Sequence, residues 1–313
     1  MKKALLVLLM LLAVGAGTFY AFPGTLLASA QFVDRTRAGL SVKTLRVDGL
    51  NIRYYEGGPS DAETVLLVHG FGADKDNWPK FARYLTSRYH VLIPDLPGFG
   101  ESSQPTGISY DVGTQAERLL NFTTALGIGR VHLVGNSMGG QIVAIYAARH
   151  PQQVFSVALF DNAGVQAPRK SEFFQRLDKG EANPLVLTRA DDFPTLVDFV
   201  FYQAPPMPAR LQHYLGERGL ARSDMNAQIF SQLRDRYIPL EPELPKITAP
   251  TLLLWGDRDR ILDVSSIDVM KPLLRQPSVV ILRDCGHVPM IERPEESAKD
   301  YLTFLDQAQA ARH

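Results

Sequence analysis

Residues 131–140 read Val-His-Leu-Val-Gly-Asn-Ser-Met-Gly-Gly, and a helical pattern follows directly. The apolar, β-branched run before Gly135 predicts a buried strand. Between strand and helix lies Gly-x-Ser-x-Gly, whose glycines leave space for a sharp turn at Ser137. A serine at such a strand–turn–helix junction is exposed above the sheet and can act as a nucleophile. We therefore predict that Ser137 is catalytic and that the backbone N–H of Met138, at the helix N-terminus, helps to bind an oxyanion.

Short apolar runs alternate with helical patterns on both sides of this junction. The predicted strands cover residues 41–47, 52–55, 65–68, 90–93, 131–136, 154–160, 251–255 and 279–282. The predicted helices cover residues 77–88, 110–126, 137–150 and 294–309. Asp48-Gly49 lies between the first two strands and predicts a β-hairpin. The alternation predicts an α/β fold with a mainly parallel, eight-stranded sheet and helices on both faces.

The alternation stops between residues 161 and 246, where helical patterns follow one another without a strand. One helical face carries Phe193, Leu196, Val197, Val200 and Phe201, and it leaves Phe199 and Tyr202 elsewhere. We predict a helical cap over residues 161–246, inserted after strand six between two parts of the core, 41–160 and 247–313. Its second apolar face would line a substrate tunnel or contact lipid. The alternative is a helix buried on all sides.

The first 40 residues form a segment of a different kind. Met1-Lys2-Lys3 precedes residues 4–22, which carry no charge. As a helix these ~19 residues would be about 28 Å long, close to the thickness of a bilayer core. We predict a transmembrane anchor and juxtamembrane segment over residues 1–40, with the N-terminus cytoplasmic and the catalytic domain on the periplasmic side of a bacterial inner membrane. Alternatively, Ala28-Ser29-Ala30 is a signal-peptidase site, and the protein is periplasmic or secreted after cleavage.

Composition excludes several classes of function. Lys plus Arg and Asp plus Glu both number 33, so no net charge favours a nucleic-acid partner. No Gly-rich loop has phosphate-binding spacing, and no Cys/His cluster has the spacing of a metal site. Cys285 is the single cysteine, which excludes an internal disulfide. We therefore expect neither a metal nor an organic cofactor.

A catalytic serine needs a base, and the best candidate is a histidine after the last predicted strand. His287 stands in Asp-Cys-Gly-His, on a loop at the end of the sheet where α/β proteins place their chemistry. The histidine in turn needs a buried carboxylate. Asp259, on the loop after the seventh strand, is our choice, Asp257 is the second candidate, and Asp161, after strand six, is the third.

A second oxyanion donor is expected on the loop after the third strand. His69-Gly70-Phe71-Gly72 would place the N–H of Phe71 near Ser137, and His69 would shape the loop. The alternative interpretation of this motif is a tight turn with no catalytic role.

With these motifs in place, the chain resembles the α/β-hydrolase family over residues 41–307. The matching motifs are His69-Gly70-Phe71-Gly72, Asp95-Leu96-Pro97-Gly98-Phe99-Gly100-Glu101-Ser102, Gly135-Asn136-Ser137-Met138-Gly139-Gly140, Trp255-Gly256-Asp257-Arg258-Asp259 and Cys285-Gly286-His287. Within the family it is most similar to membrane-anchored monoacylglycerol lipases and to bacterial phospholipase A or lipase-type enzymes. The closer likeness lies in residues 37–40, 72–78 and 261–265 and in the apolar N-terminus. The chain order Ser137, Asp259, His287 also agrees with the family.

The resemblance implies a membrane-anchored serine hydrolase that cleaves the ester bonds of acyl lipids through an acyl-enzyme. Phospholipids, lysophospholipids and monoacylglycerols are the expected substrates, and an acyl lipid or fatty acid would occupy a tunnel under the cap. Membrane lipids are expected partners, and a homodimer through the N-terminal helix is a further hypothesis.

Two alternative functions stay open at the level of sequence. Gly-Asn-Ser-Met-Gly-Gly is equally similar to the elbow of hydrolases that cleave carbon–carbon bonds in aromatic ring-fission products, although those enzymes are usually unanchored. A catalytically silent α/β-hydrolase scaffold that serves as a lipid receptor is the second alternative. The intact serine, histidine, acid and His-Gly-Phe-Gly loop argue against it.

Overall fold

Eight strands form one twisted sheet in the order β1-β2-β4-β3-β5-β6-β7-β8 in a computed structural model that describes residues 15, 17 and 22–310. The strands are β1 (Leu40–Val47), β2 (Leu50–Gly57), β3 (Thr64–Val68), β4 (His90–Pro94), β5 (Val131–Asn136), β6 (Val154–Phe160), β7 (Thr251–Gly256) and β8 (Pro277–Leu282). β2 pairs antiparallel with β1 and β4, and every other pairing is parallel. The predicted mainly parallel, eight-stranded sheet is confirmed.

The hairpin between β1 and β2 is also confirmed. Val47 pairs with Leu50, which leaves Asp48 and Gly49 as a two-residue turn. Both have positive φ, 50° and 79°, as a type I′ turn requires. The turn chemistry and the strand register therefore agree.

The helices fill the connections between the strands. They are α1 (Pro23–Arg37), α2 (Pro79–Ala82), α3 (Val112–Ala125), α4 (Met138–Arg149), α5 (Glu172–Asp178), α6 (Phe193–Val200), α7 (Ala209–Leu220), α8 (Ser223–Asp235), α9 (Ser266–Met270), α10 (Pro289–Glu292) and α11 (Pro294–Ala310). Single 3₁₀ turns cover Lys75–Asn77, Pro151–Gln153, Ala190–Asp192, Leu244–Lys246 and Lys271–Leu273.

The prediction of a continuous helix over residues 77–88 is wrong. Only Pro79–Ala82 is α-helical, and the chain continues in turns with a mixture of three- and four-residue hydrogen bonds. This irregular winding buries Trp78, Phe81 and Leu85 completely. Packing of these side chains overrides the helical propensity of the segment.

Both faces of the sheet are covered. Leu66 and Val68 of β3 face a core with α3 and α4, whereas Val65 and Leu67 face a second core with α2 and α11. All five residues of β3 are buried, as expected for a central parallel strand between two helical layers. The prediction of helices on both faces is confirmed.

Four α-helices, α5 to α8, follow one another between β6 and β7, and residues 161–246 contain no strand. We call these residues the cap segment. In α6 the most buried side chain is Phe199, only 3% exposed, and not the stripe that begins at Phe193. The guanidinium groups of Arg176 and Arg260 lie 5.0 and 4.8 Å from its ring and cover it. Helix α6 is therefore not buried on all sides, and its half-buried stripe faces partly outward.

The predicted transmembrane stretch, residues 4–22, lies almost entirely outside the described residues. Among the described helices none is both long and apolar enough to cross a bilayer. Ala28-Ser29-Ala30 lies within α1, which packs against α7 and α2. Phe22, Phe32 and Val33 at this end of the chain are exposed.

Candidate active site

Ser137 lies at the junction of β5 and α4 in a strained backbone conformation, with φ 56° and ψ −121°. Its N–H donates to the carbonyl oxygen of Phe160 at 3.0 Å. A Cβ atom at Gly135 would lie 2.3 Å from the carbonyl oxygen of Gly139, and one at Gly139 would lie 2.4 Å from that of His69. Only glycines fit at these two positions. The sequence therefore enforces the sharp turn that presents the serine.

His287 and Asp259 form a direct pair. The Nδ1 of His287 lies 2.7 Å from Oδ2 of Asp259. The other carboxylate oxygen accepts the N–H groups of Ile261 at 2.7 Å and Leu262 at 3.1 Å, and the Asp259 side chain is fully buried. With Oδ2 on the imidazole and Oδ1 on the backbone, the carboxylate is oriented to hold His287 in one tautomer.

The other two candidate acids have different partners. Asp257 accepts the N–H of Asp284 at 2.7 Å. Asp161 is completely buried, and its Oδ1 accepts the N–H of Gly256 at 2.9 Å. Of the three carboxylates proposed from the sequence, Asp259 is the one that the structure brings into contact with the histidine ring.

Asn136 connects the turn at Ser137, the serine turn, to residues 283–288 between β8 and α10, the histidine loop. Sequence reasoning missed this role. Its amide donates to the carbonyl oxygens of Phe160 at 3.1 Å and His287 at 2.9 Å. The N–H of His287 donates to Val200 at the end of α6. The histidine backbone is thus held from both sides. A buried asparagine directly before the nucleophile was the available signal, but the sequence singled it out only through family resemblance.

Ser137 Oγ makes no hydrogen bond to any residue in the described part of the chain. Catalytic hydrogen bonds are often long in an unliganded enzyme and shorten once substrate binds. The structure thus fixes His287 from two directions, because its ring contacts Asp259 on the loop after β7 and its carbonyl oxygen accepts from Asn136 beside Ser137.

The His69-Gly70-Phe71-Gly72 loop lies against Ser137. A Cβ atom at Gly70 would lie 3.1 Å from Cβ of Ser137. The ring of His69 contacts the Gly70 carbonyl at 2.8 Å through Nδ1 and accepts the Leu96 N–H at 3.0 Å through Nε2. Burial lowers the pKa of His69, in keeping with this neutral tautomer. His69 thus shapes the loop, as predicted.

The two predicted oxyanion donors are available. Within residues 22–310 the backbone N–H groups of Phe71 and Met138 make no hydrogen bond. Met138 is the first residue of α4, where the helix leaves N–H groups unsatisfied. Free donors on either side of a serine can bind the negative charge that develops on an attacked carbonyl oxygen.

A buried ion pair between Lys75 and Asp95 supports this loop, and no sequence pattern indicated it. Lys75 Nζ lies 2.9 Å from Asp95 Oδ2 and 2.7 Å from Glu101 Oε2. The backbone N–H of Lys75 donates to Asp95 Oδ1 at 2.7 Å. Burial opposes the ammonium charge, but Asp95 and Glu101 outweigh it and raise the pKa of Lys75. The contact joins the segment after β3 to the loop after β4.

Ligand atoms of Asp161, Asp259 and His287 all lie within 4.8 Å of one another, a spacing that a metal ion could also use. The Nδ1 of His287 is already hydrogen-bonded to Asp259, so the base–acid pair accounts for this grouping. We therefore assign no metal to it.

Known proteins share this architecture. The family described as alpha/beta hydrolase fold matches residues 63–294. Lipase 1 of Psychrobacter immobilis is 35% identical over 282 residues, 89% of this chain and 88% of the lipase. A monoacylglycerol lipase of Xenopus laevis is 32% identical over 307 residues, 94% of this chain and 90% of that enzyme. Among solved structures, a membrane phospholipase A described as a bacterial virulence factor is 65% identical, with a TM-score of 0.91 and 99% of both chains covered.

Proposed function

The chain belongs to the α/β-hydrolase family, and we propose that it is a membrane-anchored serine esterase that hydrolyses acyl lipids through an acyl-enzyme. It is a hydrolase of the lipase and phospholipase type, as its relatives are. The observation that carries the proposal is the 2.7 Å contact between His287 Nδ1 and Asp259 Oδ2. His287 is also hydrogen-bonded through its carbonyl oxygen to Asn136, the residue before Ser137.

In the proposed mechanism Ser137 Oγ attacks the ester carbonyl while His287 Nε2 takes the hydroxyl proton. Asp259 stabilises the imidazolium that forms. The N–H groups of Phe71 and Met138 bind the oxyanion. His287 then protonates the leaving alcohol, and a water molecule repeats the sequence on the acyl-enzyme to release the fatty acid.

An aromatic surface beside the oxyanion loop supports an acyl substrate. The ring of Phe71 lies 6.0 Å from that of Phe99 and 5.6 Å from that of Phe230 in α8. Phe230 in turn lies 6.3 Å from Phe173 in α5. A ring of α8 thus lies next to Phe71, one of the proposed oxyanion donors, and a ring of α5 packs behind it. We propose that a tunnel under the cap segment takes the acyl chain of a phospholipid, lysophospholipid or monoacylglycerol.

We also propose that the N-terminal 40 residues hold the enzyme at the inner membrane, with the catalytic domain on the periplasmic side. The uncharged stretch over residues 4–22 and the exposed Phe22 and Phe32 at the start of the described fold support this. An anchor would raise the local concentration of lipid substrate without a new contact. The pairing of two copies through this segment stays a hypothesis.

The proposed activity is tested with purified full-length enzyme in detergent. Wild type should release fatty acid from phosphatidylglycerol, lysophosphatidylcholine or monoacylglycerol, and the Ser137→Ala variant should not. Ser103→Ala, a serine on the loop after β4, is the matched control and should keep wild-type rates. Equal activity of wild type and Ser137→Ala would refute the mechanism, and a silent receptor would release no fatty acid in either form.

A further inference from the structure

Asp161 is a buried carboxyl group to which the proposed mechanism gives no role. It follows β6 directly, has no accessible surface and holds a positive φ of 44°, unusual for a non-glycine residue. Its N–H donates to Leu254 at 3.0 Å, and its Oδ1 accepts the N–H of Gly256 at 2.9 Å. The backbone of β7 therefore fixes this side chain at the end of the sheet.

The second oxygen of Asp161 has no hydrogen-bond partner, although it is completely buried. A carboxylate oxygen of Asp161 also lies within 4.8 Å of one carboxylate oxygen of Asp259 and of one ring nitrogen of His287. A carboxylate can only accept hydrogen bonds, so two ionised carboxylates placed together would repel and leave this oxygen unsatisfied. A single proton on Asp161 would remove both costs, because a neutral carboxylic acid can donate.

Asp259 has room to accept a hydrogen bond from a protonated Asp161. Its Oδ1 already takes two backbone N–H groups, and its Oδ2 takes the Nδ1 of His287. A carboxylate has about four acceptor positions, so one more donor can be accommodated. A hydrogen bond to an ionised acceptor is also among the strong ones.

The charges around Asp161 favour its neutral form. Burial raises its pKa well above the usual value, and the neighbouring Asp259 raises it further, whereas the N–H of Gly256 acts in the opposite direction. The facing titratable groups are Asp259 after β7, Cys285 and His287 after β8, and Glu292 of α10. The negative charges of Asp259 and Glu292 both raise the pKa of Asp161.

We propose that Asp161 is a positioning residue that remains protonated and donates its hydrogen bond to Asp259, thereby fixing the carboxylate that orients His287. This proposal rests on the proposed function only where activity is the readout. Asparagine at this position would keep both contacts, with its amide donating to Asp259 and its oxygen accepting from Gly256. Leucine has the same branched shape but bulkier, apolar ends, and it keeps neither contact.

The first test compares Asp161→Asn and Asp161→Leu by kcat on a soluble p-nitrophenyl ester, across pH. Asp161→Asn should keep at least about a third of wild-type kcat, whereas Asp161→Leu should lose roughly ten- to a hundredfold, as expected when a catalytic group is displaced by about 1 Å. The loss should appear in kcat rather than in KM. If Asp161→Asn loses as much kcat as Asp161→Leu, Asp161 acts as an ionised carboxylate and the proposal is overturned.

The second test does not depend on activity or on the leucine variant. An infrared difference spectrum of wild type minus Asp161→Asn at pH 7 should contain the carbonyl stretch of one protonated carboxyl group. The same difference with Asp257→Asn, a carboxylate on the neighbouring loop, should not. The absence of that band from the Asp161 difference would overturn the proposal, even if Ser137→Ala had shown the proposed function to be correct.

Discussion

Ser137 shows how single residues define this site. Its left-handed backbone is maintained because Gly135 and Gly139 let neighbouring carbonyl groups approach within distances that no Cβ would tolerate. Asn136 and Asp259 then fix His287, the first through a 2.9 Å hydrogen bond to its carbonyl oxygen and the second through a 2.7 Å contact with its ring Nδ1. Each reactive group is thus oriented by a buried partner, as preorganised catalysis requires.

The first prediction concerns the acid of the base–acid pair. Asp259→Asn should reduce kcat by about 10⁴-fold with little change in KM, because the amide favours the wrong tautomer of the imidazole. Steady-state hydrolysis of a p-nitrophenyl ester measures this. Asp257→Asn removes a carboxylate two residues away and should stay within about threefold of wild type, in keeping with its separate contact to the Asp284 N–H. A reversed order of the two variants would assign the role to Asp257.

The second prediction concerns stability and pH. The folded-state pKa of Asp161 is raised above the unfolded value of about 3.9. The stability that its protonation contributes is therefore present below that pH and is lost as pH rises through the folded pKa. Between pH ~3.9 and the folded pKa of Asp161, the stability of Asp161→Asn relative to wild type should therefore rise by up to about 1.4 kcal/mol per pH unit. Urea unfolding from pH 4 to pH 8 measures the difference, and a constant difference would contradict the prediction.

Among the elements, the histidine loop is held by the cap segment as well as by the sheet. Glu292 of α10 accepts the N–H groups of Tyr202 at 3.2 Å, Gln203 at 2.9 Å and Gly286 at 3.0 Å. The N–H of His287 donates to Val200 at 2.9 Å. The chain leaving α6 and the loop after β8 therefore share one carboxylate, which couples the position of the cap segment to that of the base.

The third prediction tests this coupling. Glu292→Ala removes the shared acceptor and should lower the free energy of unfolding by about 1–3 kcal/mol. It should also lower kcat by roughly tenfold, since the histidine loop loses a fixed position. Amide hydrogen exchange should accelerate at residues 201–203 and 284–288. Glu296→Ala removes an exposed charge nearby on α11 and serves as the control. Unchanged exchange in both variants would show that Glu292 does not hold the loop.

Local patterns predicted the elements well and their contacts poorly. Apolar runs and turn residues located all eight strands, and Asp48-Gly49 located the hairpin. The prediction of one helix over residues 77–88 was wrong because the apolar side chains of this segment are buried through irregular turns. The burial of Phe199 was not predicted because the two arginines that cover its ring are distant in the sequence. Asn136 and Lys75 were missed as structural supports because their partners lie on other loops.

For the whole molecule, α1 joins the apolar N-terminal segment to the hydrolase core. It packs against α7, and Ala38 and Leu40 after it are buried. Removal of residues 1–40 would therefore expose part of the core, whereas removal of residues 1–21 leaves α1 intact. The shorter truncation separates the fold from the proposed anchor.

The fourth prediction uses that truncation. Without residues 1–21 the protein should hydrolyse a soluble p-nitrophenyl ester at rates close to those of the full chain, because the site residues lie in the remaining fold. It should lose association with membranes, because the uncharged stretch is gone. Fractionation of cell membranes and hydrolysis of vesicle phospholipid measure both effects. A truncated protein that still pellets with membranes would show that another surface holds it there.

Ser137, activated by His287, is the proposed nucleophile of this enzyme. The most direct measurement is covalent labelling of the full-length protein with a fluorophosphonate, followed by mass spectrometry of its peptides. We predict one adduct, on Ser137, which disappears in Ser137→Ala and is strongly slowed in His287→Ala. An unlabelled wild-type protein, or an adduct on a different serine, would show that Ser137 is not the nucleophile.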